Sequence, residues 1–153
     1  MPRTDRSSRL IAASAERVYA ALVDPDALAA WLPPVGMTGR FERFDARSGG
    51  SYRLVLTYTT AGGGRGKASA DSDVVEARFV RLEPGVRVAQ QIDFESDDPS
   101  FAGTMTMTWD LSSVDGGTLV EITADDVPDG ISAEDHAVGM ASSLANLAAH
   151  LQA

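Results

Sequence analysis

The sequence predicts an α+β domain: a curved antiparallel sheet of about seven strands wrapped around a long C-terminal helix, with two short helices after the first strand. Three observations carry the prediction. In residues 132–151, Ala133, Ala137, Met140, Leu144, Leu147 and Leu151 recur at steps of three or four, the period of one helical face. Between residues 37 and 126, apolar and polar residues alternate in several separate stretches, the period of half-buried strands. The connections between the later stretches are short, which suits antiparallel pairing, because parallel crossovers need about a dozen residues or more.

With 153 residues the chain can bury a substantial core and a small cavity, and no repeat or low-complexity tract marks a boundary, so residues 1–153 read as one domain. The absence of cysteine excludes disulfides, thiolate metal sites and cysteine nucleophiles, and it fits a cytoplasmic protein. Arg3, Arg6 and Arg9 stand near the start without an apolar core behind them, unlike a secretory signal. No apolar run approaches a membrane span. A formal net charge of -9 disfavours nucleic acid and anionic lipid as partners through the general field.

Taken in order, Arg9 to Ala12 reads as a first strand, with a start at Ser7 also open. Ser14 caps a helix through Leu22, whose apolar side holds Val18, Ala21 and Leu22. Asp24 caps a second short helix with Pro25 in its first turn, and Pro33-Pro34 ends it after Trp31 or Leu32. Strands follow over Gly39–Asp45, Ser51–Thr59, Asp73–Leu82, Val86–Glu95, Thr104–Leu111 and Thr118–Ala124. In the second of these, Tyr52, Leu54, Leu56 and Tyr58 share the face that should look inward; in the fourth, Val88, Gln90, Ile92 and Phe94 do so. In the fifth, threonines 104, 106 and 108 face one way, while Met105, Met107, Trp109 and Leu111 face the other. Asp115-Gly116-Gly117 is a hairpin turn. The final helix opens at Ser132 with Glu134 and Asp135 in its first turn, as a capping arrangement requires.

The motifs with chemistry attached are weak. The glycine-rich stretch 61–67 has alanine at 61 and 68, where a phosphate-binding loop needs glycine and a hydroxyl residue, so it reads as a hairpin loop. His136 and His150 lack a second metal ligand at helical spacing, and no Gly-x-Ser-x-Gly elbow is present. No metal and no cofactor is therefore expected, and no catalytic set is assigned. His136 is the best general acid or base available, although a first-turn polar residue explains it as well.

The inward face is the informative feature. Trp31, Phe41, Tyr52, Tyr58 and Phe94 are large, as are Met105, Met107, Trp109 and Met140, and several are pliable or carry a polar tip. They suit a pocket for an amphipathic guest, and they suit a solid core equally. The expected cavity lies between Met140 and Leu144 on the last helix and Tyr52, Leu54, Phe94, Met107 and Trp109 on the sheet. Tyr52, Tyr58, Gln90 and, if strand register allows, Arg53 would supply polar contacts, with His136 at the rim.

Several strings match a known group in their order along the chain. They are Ser14-Ala15-Glu16-Arg17-Val18-Tyr19, Trp31 at the end of the second helix, Gly39-Arg40-Phe41-Glu42 and Gly49-Gly50-Ser51-Tyr52-Arg53. Residues 101–109 (FAGTMTMTW) and Val127-Pro128-Asp129-Gly130-Ile131-Ser132 complete the set. With them the chain resembles the helix-grip superfamily of START lipid-transfer domains and polyketide cyclases (SRPBCC). Within it, the resemblance is to the bacterial branch related to the C-terminal domain of the activator of Hsp90 ATPase. The resemblance implies a seven-stranded sheet gripping the C-terminal helix around a cavity, and a homodimer in many members. Related sequences often carry tryptophan where this one has Met140. The resemblance carries over no universal catalytic residue.

Three functions are compatible with this reading. One is binding of a small hydrophobic or aromatic molecule in the cavity. Another is a polyketide cyclase- or dehydratase-like enzyme, and the third is a stress- or chaperone-related interaction module. A binder needs a closed pocket, an enzyme a polar pair inside it, and an interaction module an apolar outer patch of several hundred Å² or so.

Overall fold

A computed structural model describes residues 3–33, 37–58, 72–94 and 103–152. The element order is β1 (Asp5–Ile11), α1 (Ala15–Val23), α2 (Pro25–Trp31), β2 (Met37–Phe44), β3 (Ser51–Tyr58), β4 (Ser72–Glu83), β5 (Arg87–Phe94), β6 (Gly103–Val114), β7 (Gly117–Asp125) and α3 (Ala133–Gln152). The helix starts follow from their caps. The Ser14 hydroxyl accepts the Arg17 amide, Asp24 accepts that of Asp26 with Pro25 at the next position, and the Ser132 hydroxyl accepts that of Asp135.

All seven strands form one antiparallel sheet in the order β1-β7-β6-β5-β4-β3-β2. Register shifts between Phe41 and Arg43 in β2 and between Phe79 and Arg81 in β4 bend the sheet, as extra residues in a ladder do. The inner face carries Leu54, Phe79, Val88, Trp109, Val120 and Ile122, all buried. The outer face is a lattice of cross-strand ion pairs, among them Arg53 with Glu42 (2.7 Å) and Glu76 (2.6 Å), Arg87 with Asp110 (2.6 Å), and Arg78 with Asp93. Arg53 thus faces away from Tyr52, its neighbour in the strand, and the expectation of an inward Arg53 is corrected by the pleat.

Alpha-helices cover the inner face. Val18, Ala21 and Leu22 of α1 and Leu28 and Trp31 of α2 are buried, and the Trp31 indole donates to the Ala21 carbonyl at 2.9 Å, tying the two together. Arg17 donates to the Leu151 carbonyl at 2.6 Å, placing positive charge on the unpaired carbonyl end of α3. The apolar stripe of α3 is shorter than its alanines suggest. Met140, Leu144, Leu147, Ala148 and Leu151 are buried, but Ala133, Ala137 and Ala141 are exposed. The helix reaches the core only from Met140 onward, because its first turns lie over the edge strand β1 rather than over the sheet centre.

β1 begins at Asp5, four residues before the predicted Arg9, because β7 supplies a pairing partner along its whole length, Asp5 to Ala124 through Ile11 to Thr118. No alternation in the sequence announces this extension. Gly117, with φ near 145°, lies where a Cβ would strike the Ile11 carbonyl at 2.1 Å, so the β6–β7 hairpin needs glycine there to approach β1.

Candidate functional site

The inner face narrows to a hollow beneath α2 with a volume of about 10 Å³. Its roof is Leu22 of α1 with Leu28, Trp31 and Leu32 of α2 and its end; its floor is Tyr52, Val88, Gln90 and Trp109. The floor residues come from β3, β5 and β6 by alternation, every second side chain of each strand pointing toward the helices.

The walls are aromatic and interlocked. Trp31 meets Trp109 edge to face with ring centres 5.7 Å apart, and Tyr52 sits among Phe41 (5.4 Å), Phe44 (5.9 Å) and Phe79 (5.7 Å). Such contacts fix ring orientation as well as burying area. Burial pushes the Tyr52 hydroxyl well above the usual phenol range, so it stays neutral and can donate a hydrogen bond. Beside the two indoles, the Gln90 amide is a further polar group, and among the described residues of the lining no side chain is charged.

Of the sequence-predicted site residues, Trp31, Tyr52, Gln90 and Trp109 come together here. Phe41 packs behind Tyr52, Leu54 is buried one inward position along β3 from Tyr52, and Met107 lies beside Gln90 in the β5–β6 ladder, half-buried. Met140 and Leu144 are buried on α3 but do not line this hollow. The side chains of Tyr58 and Phe94 lie outside the described residues, as does the 61–67 loop. The roof leucines Leu22 and Leu28 and the floor valine Val88 were legible only as core; nothing in their periodicity says that they face a hollow.

His136 is elsewhere. Its Nδ1 lies 2.7 Å from Asp5 Oδ2, and both side chains are about nine-tenths buried, at 12% and 10% exposure. Arg3 donates to both oxygens of the same carboxylate and to the Ile131 carbonyl. Burial alone would raise the Asp5 carboxyl, but hydrogen bonds and positive charge from Arg3 and His136 outweigh it and hold the group below its ordinary range. No cluster of three or more potential metal ligands occurs among the described residues.

A second recess, open and about 640 Å³, lies on the outer face of the sheet among Val80, Arg81, Arg87, Ala89, Thr108, Asp110 and Thr123. It is polar, and the Arg87 and Asp110 within it already satisfy one another. Among the described residues no helix is long and apolar enough to cross a membrane.

Comparison with known proteins agrees with this architecture. Among solved structures, a crystal structure from Chromobacterium violaceum is 35% identical, with 98% of both chains covered and a TM-score of 0.82. The solution structure of the AHSA1-like protein from Aeromonas hydrophila is 19% identical over 98% of this chain and 92% of that one, with a TM-score of 0.78. A crystal structure from Rhodobacter sphaeroides is 23% identical over 99% and 98% of the two chains, with a TM-score of 0.77. The latter two likenesses show the fold alone. No match is found among curated proteins. Residues 12–152 match the family profile described as Activator of Hsp90 ATPase homolog 1-like protein, and the helix-grip chain described above belongs to that family.

Proposed function

We propose that the protein binds a small apolar or amphipathic molecule between the inner face of the sheet and its helical cover, with the hollow beneath α2 as the seat. The observation that carries this is the lining itself: two tryptophans in edge contact, apolar walls, and neutral hydrogen-bonding groups, those of Tyr52 and Gln90 among them. An apolar cavity with a few placed polar groups is the usual form of a small-molecule site. At about 10 Å³ the hollow has room for about one water, so a guest enters by displacing Leu28 and Leu32. With no charge among the described residues of the lining, a neutral ring or acyl group carrying a hydrogen-bond acceptor is favoured over a phosphorylated or strongly acidic one.

The binding reading is better supported than the two alternatives. A cyclase or dehydratase would need an acid–base pair inside the site, and the described lining offers only neutral Tyr52 and Gln90 while His136 is engaged by Asp5. An interaction module would need an apolar outer patch, and the recess found there is edged by Arg81, Arg87 and Asp110.

Both tryptophans of the chain line the hollow, so intrinsic fluorescence reports directly on occupancy. Titration with N-phenyl-1-naphthylamine and with neutral acyl compounds is expected to give a saturable change in the native protein. Val88→Phe, which fills the floor, is expected to weaken uptake at least tenfold while the fold persists with modest strain. Absence of a saturable change across such a panel would overturn the reading.

A further inference from the structure

Gln90 departs from the pattern that governs the inner face around it. Along β5 its inward neighbours are Val88 and Ile92, and across the ladder it stands between Phe79 of β4 and Met107 of β6. All four are apolar. An apolar side chain at this crossing would add to the buried area and leave no polar group to satisfy, so packing gives no reason for an amide here. Positions that break the rule of their own element are where function is to be sought.

Other polar side chains are put to use by the fold. The buried Thr118 hydroxyl donates to the Ala13 carbonyl at 2.7 Å, and Gln91, the next residue and on the outer face, accepts from Arg78 at 3.0 Å. Among the described residues no such partner meets the Gln90 amide, which is half-buried on the floor of the hollow with Trp109. A carboxamide carries an acceptor and a donor side by side, the C=O and the N–H groups. Opposite it, a guest carbonyl flanked by an N–H completes two hydrogen bonds, a ketone completes one, and a hydrocarbon none.

We propose that Gln90 sets the specificity of the hollow, selecting an uncharged, ring-bearing primary amide or lactam whose head pairs with the Gln90 amide while its ring lies against Trp31 and Trp109. This selection rests on the binding function proposed above and names the class of guest. The Gln90 N–H donates to the guest carbonyl, and the guest N–H donates to the Gln90 carbonyl. Half-buried, the Gln90 amide is reached by water when the hollow is empty, so binding exchanges water for guest at little cost in unpaired groups. The second bond is the discriminating one, because a site built to accept a hydrogen bond from its ligand rejects the analogue that lacks the donor.

A pair of isosteres tests this on the full chain, with binding read from tryptophan fluorescence. The compounds, 3-phenylpropanamide and 4-phenylbutan-2-one, differ only in an NH2 group where the ketone has a methyl. In Gln90→Met, a variant of similar volume, binding of the amide is expected to weaken at least about tenfold more than binding of the ketone. Thermal stability of the same variant should hold or rise, since the four neighbours are apolar. Amide and ketone weakened alike, or neither weakened, would overturn the selection and leave the binding reading standing. Saturable binding of N-phenyl-1-naphthylamine with none of the amide would do the same. A lowered melting point with the discrimination intact would assign Gln90 to structure and likewise overturn the proposal. No saturable change with any of the three compounds would overturn the binding reading and the selection together.

Discussion

Trp109 is the largest side chain on the floor of the hollow, 3% exposed and in edge contact with Trp31. Its truncation in Trp109→Ala is expected to cost roughly 3–5 kcal/mol, most of the stability of a marginal domain. A denaturant titration showing a loss below about 1 kcal/mol would contradict that. Asp5 makes a different kind of contribution. Its folded pKa lies below that of the unfolded chain, so its stabilisation is present above about pH 4 and is lost as pH falls through the folded value. Asp5→Asn is therefore expected to flatten the acid limb of the stability curve, read as urea midpoints between about pH 2 and pH 5; superimposable limbs would contradict it. These two residues also differ in how far the sequence discloses them. Trp109 and Tyr52 are placed inward by alternation alone, and so is Gln90, whose parity matches Val88. The Asp5–His136 pair is not disclosed, because its members are 131 residues apart and neither has a local pattern that points to the other.

Among elements, the helices follow their caps and the strands their alternation, so their positions are legible to within a residue or two nearly everywhere. The exceptions are the end of β6, which runs to Val114 and not Leu111, and β1, where Asp5 and Ser7 on the inner side are polar and only β7 makes them strand. The face of α3 is legible in its second half and misleading in its first, where alanines at 133 and 137 fit the stripe by period but meet water. Small side chains satisfy a helical period without needing burial, which is why they mislead. The one glycine within α3 offers a test at this scale. Gly139→Ala adds a methyl into open space, and it is expected to stabilise the protein by up to about 1 kcal/mol through helix propensity, read as a higher denaturant midpoint. Ser14→Ala should do the reverse, costing about 1 kcal/mol by leaving the first turn of α1 without its side-chain acceptor.

As a whole, the molecule is one sheet that owes its dry face to helices from both ends of the chain. A chain ending at Pro128 keeps every strand but loses Met140, Leu144 and Leu147 from the core. It is expected to show no cooperative thermal transition by circular dichroism, and a sharp melt in that fragment would contradict the account. The sheet order has a consequence for how the protein comes into being. Among the described residues β1 has one hydrogen-bonded neighbour, β7, which is made only after the five strands between them in sequence; the buried Thr118 hydroxyl, which closes this join on the Ala13 carbonyl, is 105 residues from its partner. Topologies closed by such distant pairings fold slowly, in milliseconds to seconds, because the loop entropy is spent before the contacts return it. Until β7 has been made, β1 therefore stays an unpaired strand with Ile11, wholly buried in the folded protein, uncovered.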